Sequence, residues 1–198
     1  YGAARFLKDK GVMPQERVLI TAEHSFHFIV YYYATHFINA VTVPVHPKIK
    51  SETLKYIIEQ TNPTVLLFPN NFQFTHPNAN LIDDYQAEVS GEDLRVQSDF
   101  EDTADLLFTT GTTGFPKGVM ISHKNIVAGV ENTNQFILND ESDREIVPLP
   151  LHHAFGLRRA RANLYLGGSI ILVEGFLFPK RIFSAIGRWN ATGLSIVA

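Results

Sequence analysis

Short runs of consecutive apolar residues recur along this chain, and they dominate what it can fold into. Thr64-Val-Leu-Leu-Phe68 is the clearest, with Arg17-Val-Leu-Ile-Thr21, Val41-Thr-Val-Pro-Val45 and Ala104-Asp-Leu-Leu-Phe108 beside it. Each is too brief for a buried helix and lacks the alternation of a sheet with one wet face. Such runs suit strands of a parallel sheet covered by helices on both sides. The intervening segments agree. Phe28-Ile29 through Phe37-Ile38 reads as a buried helix. Ser51 is placed as the N-cap of a helix carrying Leu54, Ile57 and Ile58, which Asn62-Pro63 stops. A helix from about Asn125 has Ile126, Val130, Thr133 and Ile137 on one stripe, and Pro179 starts another. Ile146–Leu149, Ser169–Val173 and Gly193–Val197 are further strands, while residues 69 to 102 read as an irregular connection with one short element. The pattern predicts an α/β fold with a largely parallel sheet flanked by helices.

Composition narrows the function classes. With 198 residues and 45% hydrophobic content the chain can bury a core of its own. A formal net charge of -3, with acids and bases intermixed, calls for no nucleic-acid partner. The absence of Cys removes disulfides, thiolate zinc sites and a Cys nucleophile, and fits a reducing, cytoplasmic setting. Tyr1 to Arg17 is mixed polar and charged, unlike a signal peptide, and lacks an initiator Met, so the start is expected upstream. Phe26 to Val45 is long enough to cross a bilayer, but His27, His36, Asn39 and Pro44 interrupt it, so no transmembrane segment is expected.

The segment that carries chemistry is Thr109-Thr-Gly-Thr-Thr-Gly-Phe-Pro-Lys-Gly118. It is expected between a buried strand and a helix, where backbone N–H groups converge on an anion. Gly111, Gly114 and Gly118 let the main chain bend and approach a ligand. Thr109, Thr110, Thr112 and Thr113 offer hydroxyls, and Lys117 a mobile positive charge. Such a loop suits a polyphosphate; an ordinary flexible Gly/Thr turn is the alternative. It is not a Walker A loop, because Pro116 precedes Lys117 and Gly118 follows it.

Asp105 through Val119, followed by Ser122-His-Lys-Asn125, resembles the signature of the adenylate-forming (AMP-binding) superfamily: acyl-CoA synthetases, luciferases and peptide-synthetase adenylation domains. The commonest family form has Ser where Thr110 stands, and the hydroxyl is kept. Gly11 to Val18, Ala40 to Val45, Pro148-Leu-Pro-Leu-His-His-Ala-Phe-Gly156 and Gly167 to Val173 resemble further landmarks in the family's order. The resemblance implies that Thr109, Thr110, Gly111, Thr112, Thr113, Gly114 and Lys117 bind nucleotide, gripping the β- and γ-phosphates of ATP. By the same resemblance His153 matches the residue lining the acyl and thiol passage. A pair of structural histidines is the alternative, since adjacent residues on an extended segment face opposite ways and at most one of His152 and His153 enters a given pocket. No metal site is expected of them.

The resemblance implies part of a large N-terminal domain, with the first βαβ units over about residues 1–103 and the phosphate-loop and acyl-pocket region over 104–198. The C-terminal domain is expected to be absent, along with the Mg²⁺ ligands and a complete catalytic set. The implied function is ATP-dependent activation of a small-molecule carboxylic acid, with fatty acid metabolism among the roles, then transfer to CoA or an acyl carrier protein; a fragment alone is expected to be inactive. A non-catalytic nucleotide-binding or interaction module derived from such an enzyme is the alternative. Arg158, Arg159 and Arg161 depart from the family, which places apolar or small residues there. An exposed helix face is the default for them, with contact to an anionic carrier such as CoA phosphate, or an altered helix, also open.

Overall fold

The computed structural model describes residues 1–82, 94–109 and 114–197. The chain separates into two compact units, Tyr1–His123 and Lys124–Ala198. The division falls after His123.

The first unit is built on a six-stranded sheet. Its strands are β1 (Arg17–Thr21), β2 (Val41–Val45), β3 (Val65–Phe68), β4 (Ala79–Leu81), β5 (Thr103–Thr109) and β6 (Lys117–Ser122), in the order β4-β3-β1-β2-β5-β6. All neighbouring pairs are parallel except β5 with β6. Helix α1 (Gly2–Asp9) opens the chain, α2 (Phe26–Phe37) links β1 to β2, and α3 (Ser51–Thr61) links β2 to β3. The step from β1 to β2 and the step from β2 back past β1 to β3 run in opposite directions along the sheet. Right-handed crossovers therefore put α2 and α3 on opposite faces. Leu54 and Ile57 of α3 accordingly close over Leu19, Val43, Val45, Leu66 and Phe68.

Helix α2 is apolar all round because it is buried on two sides. Phe28, Tyr31 and Tyr32 are buried, and Tyr31 meets Phe6 of α1 edge-on at 5.8 Å. The Ser25 side chain caps it, accepting from the Phe28 N–H at 3.1 Å. At its other end Asn39 takes a left-handed φ of 55° and turns the chain into β2. Phe26–Val45 is thus a 12-residue helix and a strand, and among the described residues no helix is long and apolar enough to cross a membrane.

Three local expectations change. Ser51 is the first helical residue, and Lys50 occupies the cap without a side-chain bond. Helix α1, with Ala3, Ala4 and Leu7 on its buried face, lies within a stretch that reads only as polar and charged. Most consequentially, Lys117–Ser122 is a strand, so the Gly/Thr segment joins two antiparallel strands rather than a strand and a helix.

The second unit repeats the winding rule on a smaller scale. Strands β7 (Arg144–Val147), β8 (Ser169–Leu172) and β9 (Gly193–Leu194) form a parallel sheet in the order β8-β7-β9. Helix α4 (His123–Ile137) leads into it, α5 (Ala154–Tyr165) joins β7 to β8, and α6 (Pro179–Trp189) joins β8 to β9. The reversal about β7 again sets α5 and α6 on opposite faces. Helix α4 lies along α5, where the Asn134 amide donates to the Ala162 carbonyl at 2.8 Å. The strand expected over Gly193–Val197 is ordered as β-structure only at Gly193–Leu194.

The arginines of α5 separate sharply. Arg158 is exposed, but Arg159 and Arg161 are buried, against the default of an exposed face. Arg159 is held there by a charge partner on β7. Its Nε and Nη2 donate to the two carboxylate oxygens of Glu145 at 2.8 and 2.5 Å, and Ser195 Oγ donates to Glu145 at 2.5 Å. A two-pronged guanidinium–carboxylate pair of this kind ties α5 to the central strand. Replacing Arg159 with Met would leave Glu145 buried without its cation. Urea unfolding should then show a loss of about 3–5 kcal/mol, and an unchanged midpoint would contradict this role.

Candidate functional site

The site grows from the pairing of β5 with β6. Thr109 and Lys117 are directly opposed at the open end of the pair, so their side chains share one face of the sheet. Both are exposed, and the Thr109 hydroxyl lies 3.4 Å from the Lys117 carbonyl oxygen, at the long limit for a hydrogen bond. A hydroxyl and an ammonium thus flank the mouth of the segment between them. Gly114 in that segment has φ 113°, a conformation that side-chain-bearing residues rarely adopt, and no atom lies within 4 Å of where its Cβ would be. Thr110, Gly111, Thr112 and Thr113 lie outside the described residues.

Two sets of contacts hold this hairpin, one from each face. On one side Phe115 stacks on Tyr56 of α3, centroids 4.4 Å apart and planes 19° from parallel. On the other, the buried Asp105 of β5 accepts from Tyr32 Oη at 3.1 Å and from His36 Nε2 at 2.9 Å, both on α2. His36 Nε2 also lies 3.1 Å from the Ala104 carbonyl. With two acceptors before it, that nitrogen carries the hydrogen. Gly118 completes the fit, since a Cβ there would come within 3.1 Å of Leu106 Cδ1 and 3.3 Å of Phe108 Cζ.

None of Tyr32, His36 or Tyr56 is marked by the phosphate-loop pattern, although Asp105 opens the signature-like stretch and Phe115 lies within the loop segment. Their partners on α2 and α3 are far away along the chain, and only the sheet order brings them together. The parallel strand β5 delivers the segment at its carboxyl end, where open α/β sheets bind their ligands.

His153 stands at the N-cap of α5, exposed, with φ -98° and ψ 143° and no side-chain cap bond. Its N–H donates to the Pro150 carbonyl at 3.2 Å, which makes residues 150–153 a turn rather than an extended segment. The two histidines therefore do not point apart. The rings of His152 and His153 lie 4.1 Å apart at 41°. Gly156 lets the turn close: a Cβ there would collide with the Pro150 carbonyl oxygen and sit 2.8 Å from that of Leu149. Among the described residues no three His, Asp or Glu side chains converge on a metal position.

The comparisons with known proteins decide the family. Residues 2–198 match the family of AMP-binding enzymes. The chain belongs to that family. It is 35% identical over 136 residues to peroxisomal OPC-8:0-CoA ligase 1 of Arabidopsis thaliana, covering 68% of this chain and 25% of the ligase. It is 31% identical over 174 residues to surfactin synthase subunit 1 of Bacillus subtilis, covering 86% of this chain and 5% of that subunit. The structure of O-succinylbenzoate coenzyme A synthetase (MenE) from Bacillus subtilis in complex with AMP superposes with a TM-score of 0.87 at 22% identity, over 98% of this chain and 52% of that one. The chain therefore spans a quarter of the OPC-8:0-CoA ligase, about half of the MenE chain and 5% of the surfactin synthase subunit.

The hairpin's anchor carries a pH signature. His123, at the start of α4, packs edge-on against His36 with ring centroids 5.4 Å apart. Burial, and secondarily the charge of His36, push its pKa below the ordinary imidazole value, against the opposing pull of Asp105 and Asp102. Since the folded value is depressed, the unfolded chain takes up this proton first as pH falls below about 6.5. The stability His123 contributes is complete above that pH and is lost as pH falls toward the folded value. Melting temperature should drop between about pH 7.5 and pH 5.5, and His123→Gln should flatten the slope. An identical slope in the variant would remove His123 from the account.

Proposed function

We propose that this chain supplies the ATP-phosphate grip of an enzyme that activates a carboxylic acid as its acyl-adenylate and passes the acyl group to a thiol. The observation that carries this reading is the Thr109–Lys117 mouth, a hydroxyl and an ammonium on one sheet face at the two ends of a glycine-bearing bend. Membership of the AMP-binding family and relatives that are CoA ligases and peptide synthetases support it.

In the first step a carboxylate oxygen attacks the α-phosphorus of ATP, the bond from that phosphorus to the bridging oxygen breaks, and pyrophosphate leaves. Negative charge gathers on the leaving group, and fixed donors and cations that meet it lower the barrier. Lys117 neutralises that charge, while Thr109 and the residues up to Gly114 donate hydrogen bonds to the β- and γ-phosphates. The anchored hairpin makes Thr109 and Lys117 effective, because they need little reorganisation when the charge develops. In the second step a thiol of CoA or of an acyl carrier attacks the acyl carbonyl and AMP departs. His153, exposed at the head of α5, lines the passage through which acyl group and thiol meet.

Lys117→Ala, made in the protein expressed from its natural reading frame, should lower ATP–pyrophosphate exchange by about 10²- to 10³-fold. Melting temperature should stay close to that of the parent, since Lys117 is exposed. Undiminished exchange would refute the assignment. Residues 1–198 alone should show little or no exchange, and robust exchange from this segment would refute the need for further parts.

A further inference from the structure

Within the second unit, α4, α5 and the residue after β9 enclose a groove of about 460 Å³. Its walls include Phe136, Ile137 and Phe155, and its polar groups include Asn132, Arg158 and Arg159. The charges there are unequal. Arg159 is neutralised by Glu145 through two hydrogen bonds. Arg158 has no carboxylate partner among the described residues, and no other ionisable side chain lines the groove. It is positioned rather than loose. Its guanidinium lies 5.5 Å from the centre of the Phe155 ring, and its Cδ passes Gly129, 4.0 Å from where a Cβ would be. The bare backbone at Gly129 makes room for the arginine stem, and the ring holds the head over the groove.

A groove with apolar walls and a single uncompensated guanidinium fits a ligand with an apolar body and one anionic end. We propose that this groove takes the acid substrate and that Arg158 selects an acid bearing a second carboxylate. The inference rests on the adenylation reading above and names its substrate class. The first carboxylate is the one that is activated. The second meets the planar fork of Arg158, which matches a carboxylate in a way no neutral tail can. Asn132, exposed and able to donate, borders the same space. An anionic phosphate of CoA could meet the same cation, and the test separates the two.

The test uses the protein expressed from its natural reading frame. ATP–pyrophosphate exchange, which needs no thiol, is measured with hexanoate against adipate and with 3-phenylpropanoate against its para-carboxy counterpart. The diacid of each pair is expected to be preferred in kcat/KM. In Arg158→Met the diacid-to-monoacid ratio should fall about 10- to 100-fold, chiefly through KM for the diacid. Arg158→Lys should keep the charge and recover part of the ratio. A ratio that favours the monoacids, or one untouched by both variants, overturns the inference while leaving adenylation intact. A change confined to KM for CoA in thioester formation also overturns it, assigning Arg158 to the carrier. Exchange with none of the acids would bring down the adenylation reading itself, and this inference with it.

Discussion

Asp105 is a fully buried carboxylate in the strand that ends at the candidate phosphate-binding segment, and α2 brings Tyr32 and His36 to meet it there. An unpartnered carboxylate at that depth would cost several kcal/mol. The pairing therefore fixes more than itself. It sets the register of β5 against α2, and through β5 the position of β6, whose first residue is Lys117. From the opposite face Tyr56 stacks on Phe115. The segment that would meet polyphosphate thus hangs from a hairpin clamped on both sides, while Thr109, Gly114 and Lys117 remain exposed.

The same winding rule builds both units. In each, the chain steps one way from a central strand and then back past it, so that consecutive crossover helices fall on opposite faces. In the first unit this sandwiches the sheet between α2 and α3, and both helices supply the hairpin's anchors. In the second, α5 runs from the His152–His153 turn along β7, and Arg159 locks it to Glu145. The candidate functional groups sit at strand ends and helix starts, while the long-range pairs that hold them lie deeper.

The parallel sheet was legible because its strands are uninterrupted apolar runs, a pattern that only two-sided burial explains. The strand at Lys117–Ser122 was not, because Val119 and Met120 are exposed and its order comes from pairing with β5 rather than from its own alternation. Likewise α1 is short, and its three buried residues gain meaning only from the packing of α2 against them. Thr109, Gly114, Lys117 and His153 could be singled out from residue type and resemblance. Tyr32, His36 and Tyr56 could not, since each acts through a contact made far away in the sequence. The arginines of α5 show the limit from the other side: their charge suggested solvent, and the carboxylate fourteen residues earlier reversed that for Arg159.

In the proposed function Lys117 stands beside the terminal phosphates of ATP. An ATP analogue bearing an acyl group on its γ-phosphate transfers that group to whichever lysine lies next to it, and peptide mass spectrometry identifies the modified residue. Labelling at Lys117, suppressed by an excess of unmodified ATP, is the predicted result. Labelling that falls on other lysines and leaves Lys117 unmodified would contradict the account.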